Sequence, residues 1–364
     1  MKNRRILSWL MAVVLVLSLL PTAAWAADFP GSGSGTQADP YVITTAEELD
    51  AVRNDLDGYY KLGNDIDLSE TDYAGAWTPI GAFVADGDSS EIPDANYAFN
   101  GTFDGKDYTI SGLTVEGTAC VGLFGVVANG TVKDLNIEDA TVSGNTMTAA
   151  AIGYAYNSTV DDVDLTGTNT ITGTLDAAAV SPSIPRPYMV AGVVGAGMDS
   201  TISNCDVTGT TLTMASDGTA TAWGTNAHDA GLVGGGLEGC NVDRCSASDS
   251  SVIVDGAYCF GIGGLSGCAI SAESVTDCTV TDVTISVGDN AYLVGGLMGY
   301  TGQDGDKTAT QVSGCSADTT IEVGANSSRI GGLIGGGFYL DLYIAFYPVP
   351  VRFDLSECST AGTI

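Results

Sequence analysis

The chain has 364 residues, 45% hydrophobic and only 15% charged, so it holds ample material for a core and is not a disordered acidic tail. Twelve Lys plus Arg face 44 Asp plus Glu, a formal net charge of −32, and such a surface repels nucleic acid and anionic lipid. The 49 glycines, with abundant Thr, Ser, Val and Asp, point to many short strands and tight turns.

Lys2, Arg4 and Arg5 precede an apolar run from Ile6 to Leu20, and Ala24-Trp25-Ala26 supplies a small-x-small cleavage pattern. Residues 1–26 therefore read as a signal peptide cut after Ala26. The run is short for a spanning helix and ends at Pro21, and no cysteine follows it, so neither membrane insertion after cleavage nor a lipoprotein anchor is expected. Losing Lys2, Arg4 and Arg5 takes the net charge from −32 to −35. The expected location is secreted, extracellular or associated with the cell surface.

Residues 27–40 form a flexible leader by composition, with Gly31-Ser32-Gly33-Ser34-Gly35 at its centre. Residues 41–115 read as an N-terminal cap and first coils. Tyr41 to Ile43 is a strand, Thr45 and Glu48 form a capping box, and Leu49, Val52 and Leu56 predict one amphipathic helix from Ala46 to Asp57, ending near Gly58. The period then changes to two. Tyr60 to Leu62, Ile66 to Leu68 and Thr109 to Leu113 read as strands, with turns at Asn100-Gly101 and Asp104-Gly105.

From 116 to 364 the chain repeats itself. A Gly-aliphatic-x-Gly tetrad begins at Gly122, Gly192, Gly231, Gly264, Gly296 and Gly332, with a degenerate copy at Ala150-Ala151-Ile152-Gly153. A short strand follows each, centred on Leu135, Val163, Cys205, Cys245, Cys278, Cys315 and Cys358. Spacing this uneven suits a stacked coil whose loops accept insertions. The expected fold is all-β, a right-handed parallel β-helix (solenoid) with one short N-terminal capping helix. Like residues of successive coils would then form ladders ~4.8 Å apart.

Five recurring cysteines invite a metal or disulfide reading, but Leu135 and Val163 hold the same position, which no metal ligand could. A buried column of thiols is preferred. Disulfides between neighbouring rungs stay open in an exported chain, and nine cysteines leave at least one unpaired. Cys120, Cys240, Cys259 and Cys268 lie outside the column. The glycine tetrads lack the Lys-Ser or Lys-Thr of a phosphate loop, so a structural role is expected.

Gly231-Leu232-Val233-Gly234 together with Thr201-Ile202-Ser203-Asn204-Cys205-Asp206-Val207-Thr208-Gly209 resembles the two halves of the GLUG repeat. Gly35 to Ile43, Trp77-Thr78-Pro79-Ile80-Gly81 and Phe99 to Gly105 look like the segment that precedes such repeats in secreted surface proteins of gut bacteria. The resemblance covers about residues 35–364 and implies a pectate-lyase-like β-helix in an adhesin-like protein. That family has no catalytic motif to transfer.

No catalytic, cofactor-binding or metal residues are assigned. His228 is the sole histidine, which removes metallopeptidase schemes needing two. The cations after the leader, Arg53, Lys61, Lys106, Lys133, Arg186, Arg244, Lys307, Arg329 and Arg352, read as scattered. No cofactor is expected beyond weak surface calcium at Asp86-Gly87-Asp88 and Asp304-Gly305-Asp306. Two functions stand: a non-catalytic scaffold or adhesin-like module for an extracellular protein or glycan, and a carbohydrate-active β-helix enzyme or the stalk of one. Three or more carboxylates gathered in a groove would favour the enzyme. Ser359 to Ile364 stops where another coil would begin, so truncation at the C-terminus is also expected.

Overall fold

The computed structural model describes residues 29–70, 72–75, 77–84, 92–175, 188–216, 229–272, 274–304, 310–340 and 354–364. Over these the chain is a parallel β-solenoid. Two seven-stranded sheets and one 21-stranded sheet run along the stack, and every pairing between named strands is parallel. One coil shows the plan: Ala119–Val121 lies in the first sheet, Phe124–Ala128 in the second, and Thr131–Glu138 and Thr141–Gly144 in the third.

Alternation places one side chain in two inside, and in-register stacking turns each inside position into a column. One column runs Tyr60, Phe103, Val132, Val160, Ile202, Val242, Val275 and Val312. Another runs Ile110, Ile137, Leu165, Val207, Ala247, Val280 and Ala317. All of these are buried. Rings fill the first coils, where Phe99 and Phe103 lie 5.1 and 5.3 Å from Phe124, and Val, Ala and Cys fill the later ones.

The capping box forms as expected: Glu48 N donates to Thr45 Oγ1 at 3.2 Å and Thr45 N to Glu48 Oε2 at 3.2 Å. The helix is shorter than expected. It spans Ala46–Asp50 and tightens into a 3-10 turn at Ala51–Asn54. Asn54, Asp55 and Asp57 are weak helix formers, and Tyr60 Oη holds the Asp55 carbonyl at 2.6 Å, turning the chain into the next strand. At Asp104-Gly105 the chain stays extended, and the irregularity falls at Lys106 and Asp107, with φ of 53° and 61°.

The cysteine markers do stack, but at corners rather than strand centres. Cys205 lies between Thr201–Ser203 and Asp206–Thr208, and Cys245, Cys278, Cys315 and Cys358 lie between equivalent pairs. Each thiol donates to the carbonyl two residues before it, at 3.2, 3.5, 3.1, 3.3 and 3.3 Å in chain order. All nine cysteines are free, and Cys240 and Cys259 also lie in the core.

The glycines form a column of their own. A Cβ on Gly125, Gly153, Gly195, Gly235, Gly267, Gly299 or Gly335 would sit 2.3–2.8 Å from the carbonyl oxygen of the equivalent glycine one rung below. Gly81 is the base of that column, because Ile80 pairs with Phe124. One coil departs from the sequence alignment by a residue. Gly234 pairs with Val194 and Ser266, so Gly235 takes the place expected for Gly234. Three consecutive glycines, Gly234 to Gly236, carry no side chain from which the register could be read.

Candidate functional site

The residue just before each cysteine-column position has φ near +50°: Asp134, Asp162, Asn204, Arg244, Asp277 and Glu357, with Gly314 filling the remaining coil at +65°. Asp and Asn tolerate this conformation best among residues with side chains. The left-handed residue turns the strand so that its successor points inward while its own side chain stays outside. Asp107 lies one rung below Asp134. As a result, carboxylate oxygens of Asp107, Asp134 and Asp162, 27 and 28 residues apart in sequence, lie within 4.8 Å of one another.

Neighbours partly balance this charge. Lys106 and Lys133 converge on Asp104 at 2.8 and 3.1 Å, and Lys133 also reaches Asp134 at 2.5 Å. Asp104 stays below the usual carboxylate range, since the bonds from Lys106 and Lys133 outweigh its burial. Asp161 accepts from Ser203 Oγ and Asn204 Nδ2, both at 2.7 Å. Partial burial, then the Asp134 and Asp107 carboxylates, raise Asp162. Burial pushes Asp164 up to about 6 and the carboxylates of Asp206 and Asp162 add to it, although the Asp206 amide donates to it at 2.8 Å.

Three carboxylates this close are an oxygen donor set for a hard cation rather than for zinc. They are closer together than the ~5–5.5 Å of a retaining glycosidase pair or the ~6.5–9.5 Å of an inverting one. They also form a single file along the stack. The sequence reading treated the cations as scattered and left the grouping of the acids open; the structure gathers these three aspartates and two lysines. The signal was present, because Asp134 and Asp162 each stand one place before a marker residue.

A second group was also missed. Asp229 is 4% exposed, and its Oδ2 lies 3.4 Å from Tyr300 Oη and 3.6 Å from Cys268 Sγ. Cys268 and Tyr300 belong to a small apolar cluster separate from the main core, as do Cys120 and Tyr154 to another. Burial pushes the Cys120 thiol up to about 12, which keeps it protonated and unreactive. Met189 and Gly261 hold the Asp229 position in the adjacent rungs, so nothing periodic marked it. His228, Arg186, Lys307, Arg352, the loop Asp86 to Asp88 and residues 305–306 lie outside the described residues, as do 181–187 and 341–353.

No family model matches the chain. It is 32% identical over 142 residues to "Halomucin" of Haloquadratum walsbyi, a stretch that is 37% of this chain and 2% of that protein. It is 35% identical over 142 residues to a protein of Evansella cellulosilytica described as "Putative Gly-rich membrane protein", covering 36% of this chain and 15% of that one. The chain thus spans only a small part of the curated relatives it matches. A solved structure described as "a putative immunoglobulin A1 protease" from Bacteroides ovatus is similar at 16% identity and a TM-score of 0.49, over 92% of this chain and 86% of that one.

Proposed function

We propose that the chain is an extracellular, non-catalytic β-helix scaffold or adhesin-like module that holds loops out from the cell surface for contact with a protein or glycan. The likeness to GLUG repeats belongs to the same reading. The supporting observation is constancy of register under changing coil length. Equivalent interior residues lie 28 apart from Val132 to Val160 and 42 apart from Val160 to Ile202, yet the column continues unbroken. Extra residues are inserted between strands, where they cost the core nothing. Among the described residues no helix is long and apolar enough to cross a membrane. The acidic balance argues against nucleic acid as a partner.

A polysaccharide-cleaving enzyme is the second reading, favoured by the file of carboxylates beside Asp164. One experiment separates the two. Intact cells are probed with antibody to the chain, and purified protein is incubated with polygalacturonate and with neutral glycans. The scaffold reading expects surface labelling and no new chain ends. Chain cleavage that Asp162→Asn abolishes would replace it with the enzyme.

A further inference from the structure

Four Asn-x-Ser/Thr triplets occur in the chain: Asn100-Gly101-Thr102, Asn129-Gly130-Thr131, Asn157-Ser158-Thr159 and Asn326-Ser327-Ser328. In an exported protein this triplet is the acceptor for an N-linked glycan. The first three occupy equivalent turns of successive rungs, since Thr102, Thr131 and Thr159 are paired in register. An Asn, which at 129 and 157 takes a positive φ, a small residue and a strand-opening Thr suit that turn, so the motif alone decides nothing. What each amide nitrogen does is more telling.

Asn100 is half-buried, and its Nδ2 donates to the Ala95 carbonyl at 3.4 Å. Asn157 Nδ2 donates to Asn129 Oδ1 at 2.7 Å, which directs that nitrogen along the stack. Asn129 takes part in this bond only as acceptor. It is exposed at φ 59°, and its own Nδ2 donates to no described residue. Asn326 stands at a different corner, in the turn between Ser316–Val323 and Ser328–Gly331. It too is exposed at φ 59°, and its side chain makes no hydrogen bond among the described residues. That turn is held instead by Ser327 Oγ, which donates to the Gly324 carbonyl at 2.8 Å and accepts from Ala291 N at 3.1 Å. Ser328, the hydroxyl residue of the triplet, is exposed.

We propose that Asn129 and Asn326 carry N-linked glycans and that Asn100 and Asn157 do not. The donor is a glycan on a lipid pyrophosphate. The amide nitrogen bonds to C1 of the first sugar, the C1–O bond to phosphate breaks, its electron pair leaves with the pyrophosphate, and one amide proton passes to a base. Asn129 keeps its Oδ1 in the product, so the bond from Asn157 survives and the ladder is undisturbed. The two acceptors sit at separate corners of the coil, leaving the sheet between them bare.

This inference rests on the export reading, and the test keeps the two apart. The protein is purified from its native host, together with Thr131→Ala and Ser328→Ala variants that retain both asparagines, and all three are analysed by intact mass and peptide mapping. Asparagine-linked glycan at 129 and 326, one lost in each variant, with bare peptides at 100 and 157, is the expected result. A chain lacking residues 1–26 but with 129 or 326 at unmodified mass, or with sugar at 100 or 157, overturns the glycan assignment and leaves export standing. A bare chain that still carries residues 1–26 overturns both.

Discussion

At the scale of single residues, the glycine column is set by collision rather than by flexibility. A Cβ on Gly267 would lie 2.4 Å from Ala230 N and 2.6 Å from the Gly235 carbonyl, backbone atoms that cannot swing aside. Gly267→Ala should therefore cost about 3 kcal/mol, at the upper end of overpacking penalties, read as a lowered midpoint in urea unfolding. Asp164 makes a pH prediction. Its carboxyl is raised to about 6 in the fold, by burial first and then by the Asp206 and Asp162 carboxylates, against about 3.9 in an unfolded chain. The protonated form is the one the fold favours, so this group's contribution is full below about 4 and is lost as pH rises through about 6. Unfolding midpoints measured from pH 4 to 7 should fall less steeply in Asp164→Asn than in the parent; parallel curves would remove Asp164 as the cause.

At the scale of elements, the N-terminal turn of helix closes one end of the stack. Leu49 and Val52 are fully buried beneath it, while Glu48 accepts from the amides of Thr44 and Thr45 at 2.6 and 3.2 Å. So short a helix gains little from its own backbone bonds and depends on its cap and on packing. Thr45→Ala should destabilise the chain by about 1 kcal/mol, as other cap deletions do, with earlier amide exchange over 46–54 than in the central strands. The strands depend on each other differently. Each pairs with equivalents in adjacent rungs, and cross-rung bonds such as Ser246 Oγ to Asp206 and Thr276 Oγ1 to Asp243, both 2.6 Å, fasten the outer face.

At the scale of the whole molecule, charge and stacking pull against each other. The chain carries 44 acidic residues, and among the described residues stacking in register brings some of them to equivalent positions of successive rungs, so that like charges recur at the rung spacing. Asp107, Asp134 and Asp162 are the extreme case. Salt screens such repulsion over a Debye length of about 10 Å at 0.1 M and about 3 Å at 1 M. The melting temperature should rise as sodium chloride is increased from 0.05 to 0.5 M, and Asp162→Asn should reduce that dependence. A melting temperature indifferent to salt would mean that the lysines at Asp104 and the hydroxyl donors already balance the outer face.

The sequence by itself determined the period-two strands, the number of tetrad-marked coils, the capping box and the column through Cys205, Cys245, Cys278, Cys315 and Cys358. All of these depend on local alternation or on a motif a few residues long. Tertiary structure decided what needs the neighbour above or below: the register at Gly231 to Gly236, the carbonyl that forbids a side chain at Gly267, the early end of the helix, and the meeting of three aspartates. Partners in adjacent rungs are separated by 19 to 44 residues of uneven insertion. The linear chain therefore shows that coils will stack, whereas only the stacked backbones settle which atom lies over which.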